Sequence, residues 1–175
     1  MMVVVTGGSG SGKSAFAEEK VLSFGEMERF YIATMYPYDE ESYKRIKRHQ
    51  NMRAGKKFHT VEKYTDVGSI SFPGNSTVLL ECMSNLTANE MFLPEGAGMD
   101  CAGKVIRDIG ILKEKVQNLV IVTNEIFSDA GAYEEETRRY LKNLGEINQG
   151  IAGLADELYE VVYGIPVRWK GEAFQ

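Results

Sequence analysis

The sequence predicts an α/β fold with a mainly parallel sheet flanked by helices. Short, nearly unbroken apolar and β-branched runs recur along the chain, separated by longer segments with helical periodicity. Strands covered by crossover helices on both faces read in this way, whereas strands with one wet face alternate. The first run also leads into Gly7-Gly8-Ser9-Gly10-Ser11-Gly12-Lys13-Ser14, a glycine-rich segment that opens a helical pattern.

In chain order, the first strand runs from Met2 to Thr6 and the first helix from Lys13 to Phe24. A second strand, Arg29 to Thr34, precedes a helix from Asp39 to Arg53. From Phe58 through Asn75 the apolar pattern weakens, and Gly68, Pro73 and Gly74 break it, so the stretch reads as a loop-rich excursion. His59, between Phe58 and Thr60, would lie in a short strand within it, in a structural role. Thr77 to Leu80 is the third main strand. Leu93 to Met99, with Pro94, Gly96 and Gly98, reads as an exposed loop. Asp100 to Val116 is helical, Leu119 to Thr123 a strand, Tyr133 to Ala155 a helix and Leu158 to Tyr163 a strand. Val167 to Lys170 would add a final edge strand. No internal repeat, low-complexity tract or linker divides the chain, so residues 1–175 read as a single domain.

With 175 residues, 43% of them hydrophobic types and 26% charged, the chain can bury one sizeable core. A formal net charge of −5 leaves no basic face suited to a nucleic-acid backbone or an anionic membrane. Cys82 and Cys101 lack the spacing of a zinc site or redox pair and read as reduced thiols. The N-terminal apolar run reaches glycine too soon for a signal peptide and carries no basic leader. No window approaches the roughly 20 apolar residues of a membrane helix. A cytoplasmic protein is expected.

A G-x-x-x-x-G-K-S match acquires meaning from its context, and here a strand precedes it and a helix follows. The glycines let backbone N–H groups curl around phosphate oxygens at a helix N-terminus, whose dipole favours an anion. Lys13 would reach the β- and γ-phosphates of ATP or GTP. The Ser14 hydroxyl is placed to ligate Mg²⁺. Such sites also use an acid at the end of a buried strand. Glu81, after Val78-Leu79-Leu80, and Glu125, after Thr123-Asn124, both qualify, and a carboxylate capping the next helix is the alternative for either. Glu81 is the preferred metal residue, with Glu125 behind it or at the substrate.

Several segments taken together resemble the bifunctional adenosylcobinamide kinase / adenosylcobinamide-phosphate guanylyltransferase family. They are Thr6-Gly7-Gly8 into the loop, Tyr31-Ile32-Ala33-Thr34, Asp39-Glu40-Glu41 leading to Arg45-Ile46 and His49, then Arg53 and Thr60-Val61-Glu62. Leu80-Glu81-Cys82, Thr123-Asn124-Glu125, Asn148-Gln149, Ala155-Asp156-Glu157 and Gly164-Ile165-Pro166 follow in order, so the resemblance spans almost the whole chain. It implies a RecA-like P-loop nucleoside triphosphate hydrolase fold, a homo-oligomer, often a trimer, and two reactions. These are phosphorylation of adenosylcobinamide and transfer of GMP onto the resulting phosphate, with ATP and GTP as substrates and Mg²⁺ as cofactor. It also implies that Thr34 and Glu62 join the loop and Glu81 at the nucleotide.

In that family a histidine on the helix after the second strand becomes guanylylated, and His49 is the matching position. A neutral imidazole can attack an α-phosphate, and a covalent intermediate splits one transfer into two. The alternative places His49 on a solvated basic face with Lys44, Lys47 and Arg48; Lys47, Arg48 and Arg53 would otherwise balance phosphate charge. The chain departs from the family where Ile126-Phe127-Ser128-Asp129-Ala130-Gly131-Ala132-Tyr133 replaces a glycine-rich, Val-Pro-containing stretch. Gly10 stands where arginine is common, and Phe58 where tryptophan is common. Two other functions fit a P-loop of this kind: a kinase for another small molecule with His49 inert, and a nucleotide-sensing module that controls a partner. The donor, ATP or GTP, stays open because loop contacts reach phosphates and not the base.

Overall fold

The computed structural model describes residues 1–53, 55–126 and 133–172, without the side chains of residues 45, 49, 52 and 53. Among these residues, seven strands form one sheet: β1 (Met2–Thr6), β2 (Glu28–Ala33), β3 (Phe58–Glu62), β4 (Ser76–Glu81), β5 (Asn118–Val122), β6 (Glu157–Val162) and β7 (Ile165–Lys170). Their order is β3-β2-β4-β5-β1-β6-β7, and every pair is parallel except β6 with β7.

The apolar runs explain the centre. All residues of β4 and β5, and the first four of β1, are buried. Pleating sends alternate side chains to opposite layers. Met2 and Val4 join Ile121, Leu144 and Ile147 in the larger layer, with α3 (Met83–Phe92), α4 (Ala102–Lys115) and α5 (Glu135–Leu154). Val3 and Val5 join Ala17, Val21 and Leu79 in the other, under α1 (Lys13–Ser23). Each fully buried aliphatic side chain contributes about 1.5–3 kcal/mol. On the α1 side, Ile46 and Gln50 of α2 (Glu40–Arg53) line a cleft with Tyr31 of β2 and Thr60 of β3.

The strands expected to begin at Arg29, Thr77, Leu119 and Leu158 each begin one residue earlier, because Glu28, Ser76, Asn118 and Glu157 take the first ladder position. Two elements correct the sequence reading. The strand expected around His59 is a full parallel edge strand, Phe58–Glu62, paired with Arg29–Ala33, and a short 3₁₀ turn, Val67–Ser69, follows it where a loop was expected. Its weak pattern reflects its place, since an edge strand with mostly wet side chains needs no apolar run. The second is α3, which periodicity missed because much of its inward face is polar: Thr87, Asn89 and Glu90 are buried beside Met83, Leu86 and Met91.

The segment from Leu93 to Met99 is largely exposed, as expected, yet it is tied to α3. Ala97 N donates to the Glu90 carboxylate at 3.0 Å, and Gly98 N to the Glu90 carbonyl at 2.8 Å. A Cβ at Gly96 would lie 2.4 Å from the Glu90 carbonyl oxygen and 2.8 Å from that of Asn89. Both are backbone atoms and cannot yield locally. Gly96→Ala should therefore lower stability by about 1–3 kcal/mol, the usual cost of overpacking. A urea titration should show a lower midpoint at unchanged slope.

Candidate active site

The parallel strands bring five segments to one edge of the sheet: the glycine-rich loop after β1, Thr34 after β2, Glu62 ending β3, Glu81 ending β4, and Thr123 to Glu125 after β5. Open α/β sheets bind ligands at this edge. Two glycines in the loop are dictated by geometry. A Cβ at Gly7 would sit 2.6 Å from both the Val161 carbonyl oxygen and Ser11 Oγ. Gly12, at φ +93°, starts α1 in a left-handed conformation and leaves only 3.3 Å between its would-be Cβ and Gly164 Cα.

Lys13 is 9% exposed, and its Nζ donates to the Gly8 carbonyl at 3.0 Å, so the ammonium curls over the loop. Burial holds its pKa below the ordinary lysine value, opposed by Cys82 and Glu81. Ser14 Oγ donates to Glu81 Oε1 at 2.5 Å, and Tyr31 OH to Glu81 Oε2 at 3.2 Å. Of the two candidate carboxylates, Glu81 is therefore the one that meets the start of α1. A hydroxyl beside a carboxylate, with phosphate oxygens completing the shell, suits a hard cation such as Mg²⁺. Among the described residues no cluster of three His, Cys, Asp or Glu side chains could hold a metal without such help.

Thr34 is fully buried and acts on the backbone: its hydroxyl lies 3.0 Å from the Glu81 and Cys82 carbonyls and accepts from Cys82 N at 2.8 Å. Glu62 is exposed and accepts from Tyr64 OH at 3.3 Å. Thr123, Asn124 and Glu125 brace the site. Thr123 Oγ1 donates to Asn148 Oδ1 at 2.7 Å, Asn124 Nδ2 to Ser84 Oγ at 2.6 Å, and Glu125 N to the Gly7 carbonyl at 3.2 Å.

Beside Glu81, a mainly apolar cleft extends to α2, with Tyr31, Met35, Ile46 and Gln50 among its walls. Residue 49 falls in α2 between Ile46 and Gln50, and its side chain lies outside the described residues. Lys44, Lys47 and Arg48 line a different depression, together with Asn51. The Arg53 side chain, and residues 127–132 of the stretch that departs from the family, also lie outside what is described. His59 packs its ring against Phe30 at 5.4 Å.

Sequence reasoning did not find a role for Asn89, whose Nδ2 donates to the carbonyls of Thr34 at 2.7 Å and Tyr64 at 3.0 Å, joining the segments after β2 and β3. Nor did it find the tyrosine cluster above them, where Tyr36 meets Tyr38 at 4.7 Å and Tyr64 at 5.0 Å. Three tyrosines in Tyr36-Pro37-Tyr38 and Tyr64 were the available signal. Nothing in the spacing of Asn89 sets it apart.

A family model described as cobinamide kinase / cobinamide phosphate guanyltransferase matches residues 3–169. The chain is 31% identical to the bifunctional adenosylcobalamin biosynthesis protein CobU of Salmonella typhimurium and 30% identical to that of Escherichia coli, in each case over 97% of this chain and 100% of the relative. It is 26% identical to the bifunctional protein CobP of Pseudomonas aeruginosa, over 98% of this chain and 99% of the relative. The flagellar accessory protein FlaH of Methanocaldococcus jannaschii shares the RecA-like P-loop fold, with a TM-score of 0.51 at 11% identity, over 99% of this chain and 81% of FlaH.

The buried Lys13 has a measurable cost. A lysine whose pKa is lowered on folding destabilises the protein at neutral pH, and that cost fades only as pH rises through the lowered pKa. Lys13→Met should therefore leave the ligand-free thermal midpoint unchanged or higher at pH 7, while reducing turnover by at least about 100-fold. Calorimetry paired with a kinase assay checks both; a large loss of stability would contradict the desolvation reading.

Proposed function

The chain belongs to the cobinamide kinase / cobinamide phosphate guanyltransferase family, and on that footing we propose how its residues divide two reactions. It phosphorylates adenosylcobinamide with a nucleoside triphosphate and transfers GMP from GTP onto the adenosylcobinamide phosphate. The observation that carries the assignment of residues is the Ser14–Glu81 contact at the mouth of the loop, beside the buried Lys13.

In the first reaction the backbone N–H groups from Gly7 to Lys13, through Gly8, Ser9, Gly10, Ser11 and Gly12, cradle the phosphates. Lys13 Nζ moves from the Gly8 carbonyl to the β- and γ-oxygens. Ser14 and Glu81 are the residues that would hold Mg²⁺, which neutralises phosphate charge when bound. The acceptor hydroxyl oxygen bonds to the γ-phosphorus, the bond to the bridging oxygen breaks, and the nucleoside diphosphate leaves. Thr34 acts through the Glu81 backbone, and Glu62 stands at the mouth for a nucleotide or acceptor hydroxyl. The cleft and the tyrosine cluster give the corrinoid an apolar wall with hydroxyl edges.

In the second reaction a ring nitrogen of His49 bonds to the α-phosphorus of GTP and pyrophosphate leaves. A phosphate oxygen of adenosylcobinamide phosphate then takes the GMP, breaking the P–N bond. The position of residue 49 between two cleft-lining residues of α2 supports this role. We read the whole chain as a single catalytic domain that self-associates, as a trimer by family resemblance. The exposed apolar face of β6 and β7, with Val162, Ile165, Val167 and Trp169, supports self-association. No helix of the described residues is long and apolar enough to cross a membrane.

Two measurements test these roles. Glu81→Gln should raise the Mg²⁺ concentration for half-maximal kinase activity by about 10- to 100-fold, the usual cost of disturbing a metal's supporting carboxylate; if Glu125→Gln does so and Glu81→Gln does not, the metal role moves to Glu125. Label from α-³²P-GTP should stay on the protein in alkali and leave in mild acid, because protonating the imidazole makes it a good leaving group. His49→Ala should abolish the adduct and guanylyl transfer while most phosphorylation persists. Equal labelling of both proteins would remove His49 from the mechanism.

A further inference from the structure

The turn between β6 and β7 breaks a local rule. Tyr163 and Gly164 close the hairpin between Val162 and Ile165, with φ +51° and +78°. A two-residue hairpin turn of this kind needs positive φ at both central positions, which asparagine or glycine accepts readily and a bulky aromatic does not. Within one protomer Tyr163 is 94% exposed, so its ring gains no packing there that would offset the strain. A strained residue that the fold does not reward points to a function.

Its location says which. Gly164 N donates to the Ser11 carbonyl at 2.8 Å, and Gly164 Cα packs on Gly12, so the hairpin tip is fixed to the phosphate-binding loop. In the sheet, β5 and then β4 lie on one side of β1, and β6 and β7 on the other. Ser14 and Glu81 mark the β4 side, where the metal and terminal phosphate belong in the reading given above, on which this inference rests. A phosphoryl donor whose γ-phosphate points to Glu81 sends its α-phosphate and nucleoside the opposite way, over the hairpin tip. We infer that Tyr163 is the platform on which the base of the phosphoryl donor stacks. A phenol ring offers a π-face to any purine and adds affinity without reading the base.

The test uses the turn-favoured variant Tyr163→Asn, which relieves the strain while removing the ring. Its thermal midpoint should equal or exceed that of wild type. Its affinity for a non-hydrolysable ATP analogue with Mg²⁺ should fall by about tenfold, within the range measured for stacking on one aromatic side chain. Tyr163→Phe should keep wild-type affinity. Tripolyphosphate, which has the phosphates and no base, should bind wild type and Tyr163→Asn equally well. Unchanged affinity of Tyr163→Asn for the ATP analogue overturns the inference. So does an equal loss for analogue and tripolyphosphate, or a change of mass in sedimentation, since either would make Tyr163 a residue of loop shape or of an interface. Lys13→Ala separates the two readings: if it binds tripolyphosphate as tightly as wild type does, the loop assignment fails, whatever Tyr163 does.

Discussion

A carboxylate at the end of a central strand is costly to bury, and the contact between Ser14 and Glu81 is what the surrounding structure is arranged to keep. Glu81 ends β4 at 9% exposure and is offered hydroxyl donors by Ser14 and Tyr31, while Thr34 pins the backbone on either side of it. Buried charge is tolerated when it is hydrogen-bonded, and the Ser14 and Tyr31 hydroxyls supply those bonds. The sheet order makes the meeting possible. β5 separates β1 from β4, a span of roughly 10 Å at the usual strand spacing. Because α1 crosses over β5 and β4 on its way to β2, its first turn returns the loop to Glu81.

The polar inner face of α3 belongs to the same design. Glu90, fully buried, accepts from Asp66 N at 2.7 Å, Ala97 N at 3.0 Å and Lys104 Nζ at 2.7 Å. Burial alone would depress the Lys104 pKa, yet its hydrogen bonds to Asp108 and Glu90 hold it above the ordinary lysine value. Asn89, one residue earlier, fixes the segments after β2 and β3, from which the tyrosine cluster and Glu62 project. A helix with an apolar inner face could have filled the same volume. It could not have held two irregular segments by their backbone groups.

How much of this was legible in the sequence follows from where each signal lives. β1, β4 and β5 were plain because burial on both faces leaves an unbroken apolar run at the centre of each, and the loop was plain because its glycines answer to local geometry at Gly7 and Gly12. Glu81 could be chosen over Glu125 only as a preference, since both follow apolar strands; strand order decides which one faces Ser14. α3 was lost, and β3 was read only as a short strand around His59, for opposite reasons. The first buries polar groups for tertiary partners and the second buries little at all. Lys47 and Arg48, which the sequence offers as partners for phosphate charge, line a depression with Lys44 and Asn51, whereas Ile46 and Gln50 border the cleft. His49 had meaning through the family resemblance, because one histidine among basic residues carries no pattern of its own.

The two proposed reactions set a constraint on how nucleotides enter the loop. Phosphorylation needs attack at the γ-phosphorus with the acceptor on the β4 and β2 side, so the donor's nucleoside points away, toward the β6–β7 turn. Guanylylation needs the α-phosphorus within reach of α2, which stands on the acceptor side with Ile46 and Gln50 at the cleft. One bound orientation cannot satisfy both, because the α- and γ-phosphorus atoms lie at opposite ends of the triphosphate. The loop's N–H groups and Lys13 read charge at the phosphates and leave the base to other contacts. The two reactions proposed above therefore ask for different placements of the nucleotide over one phosphate-binding loop.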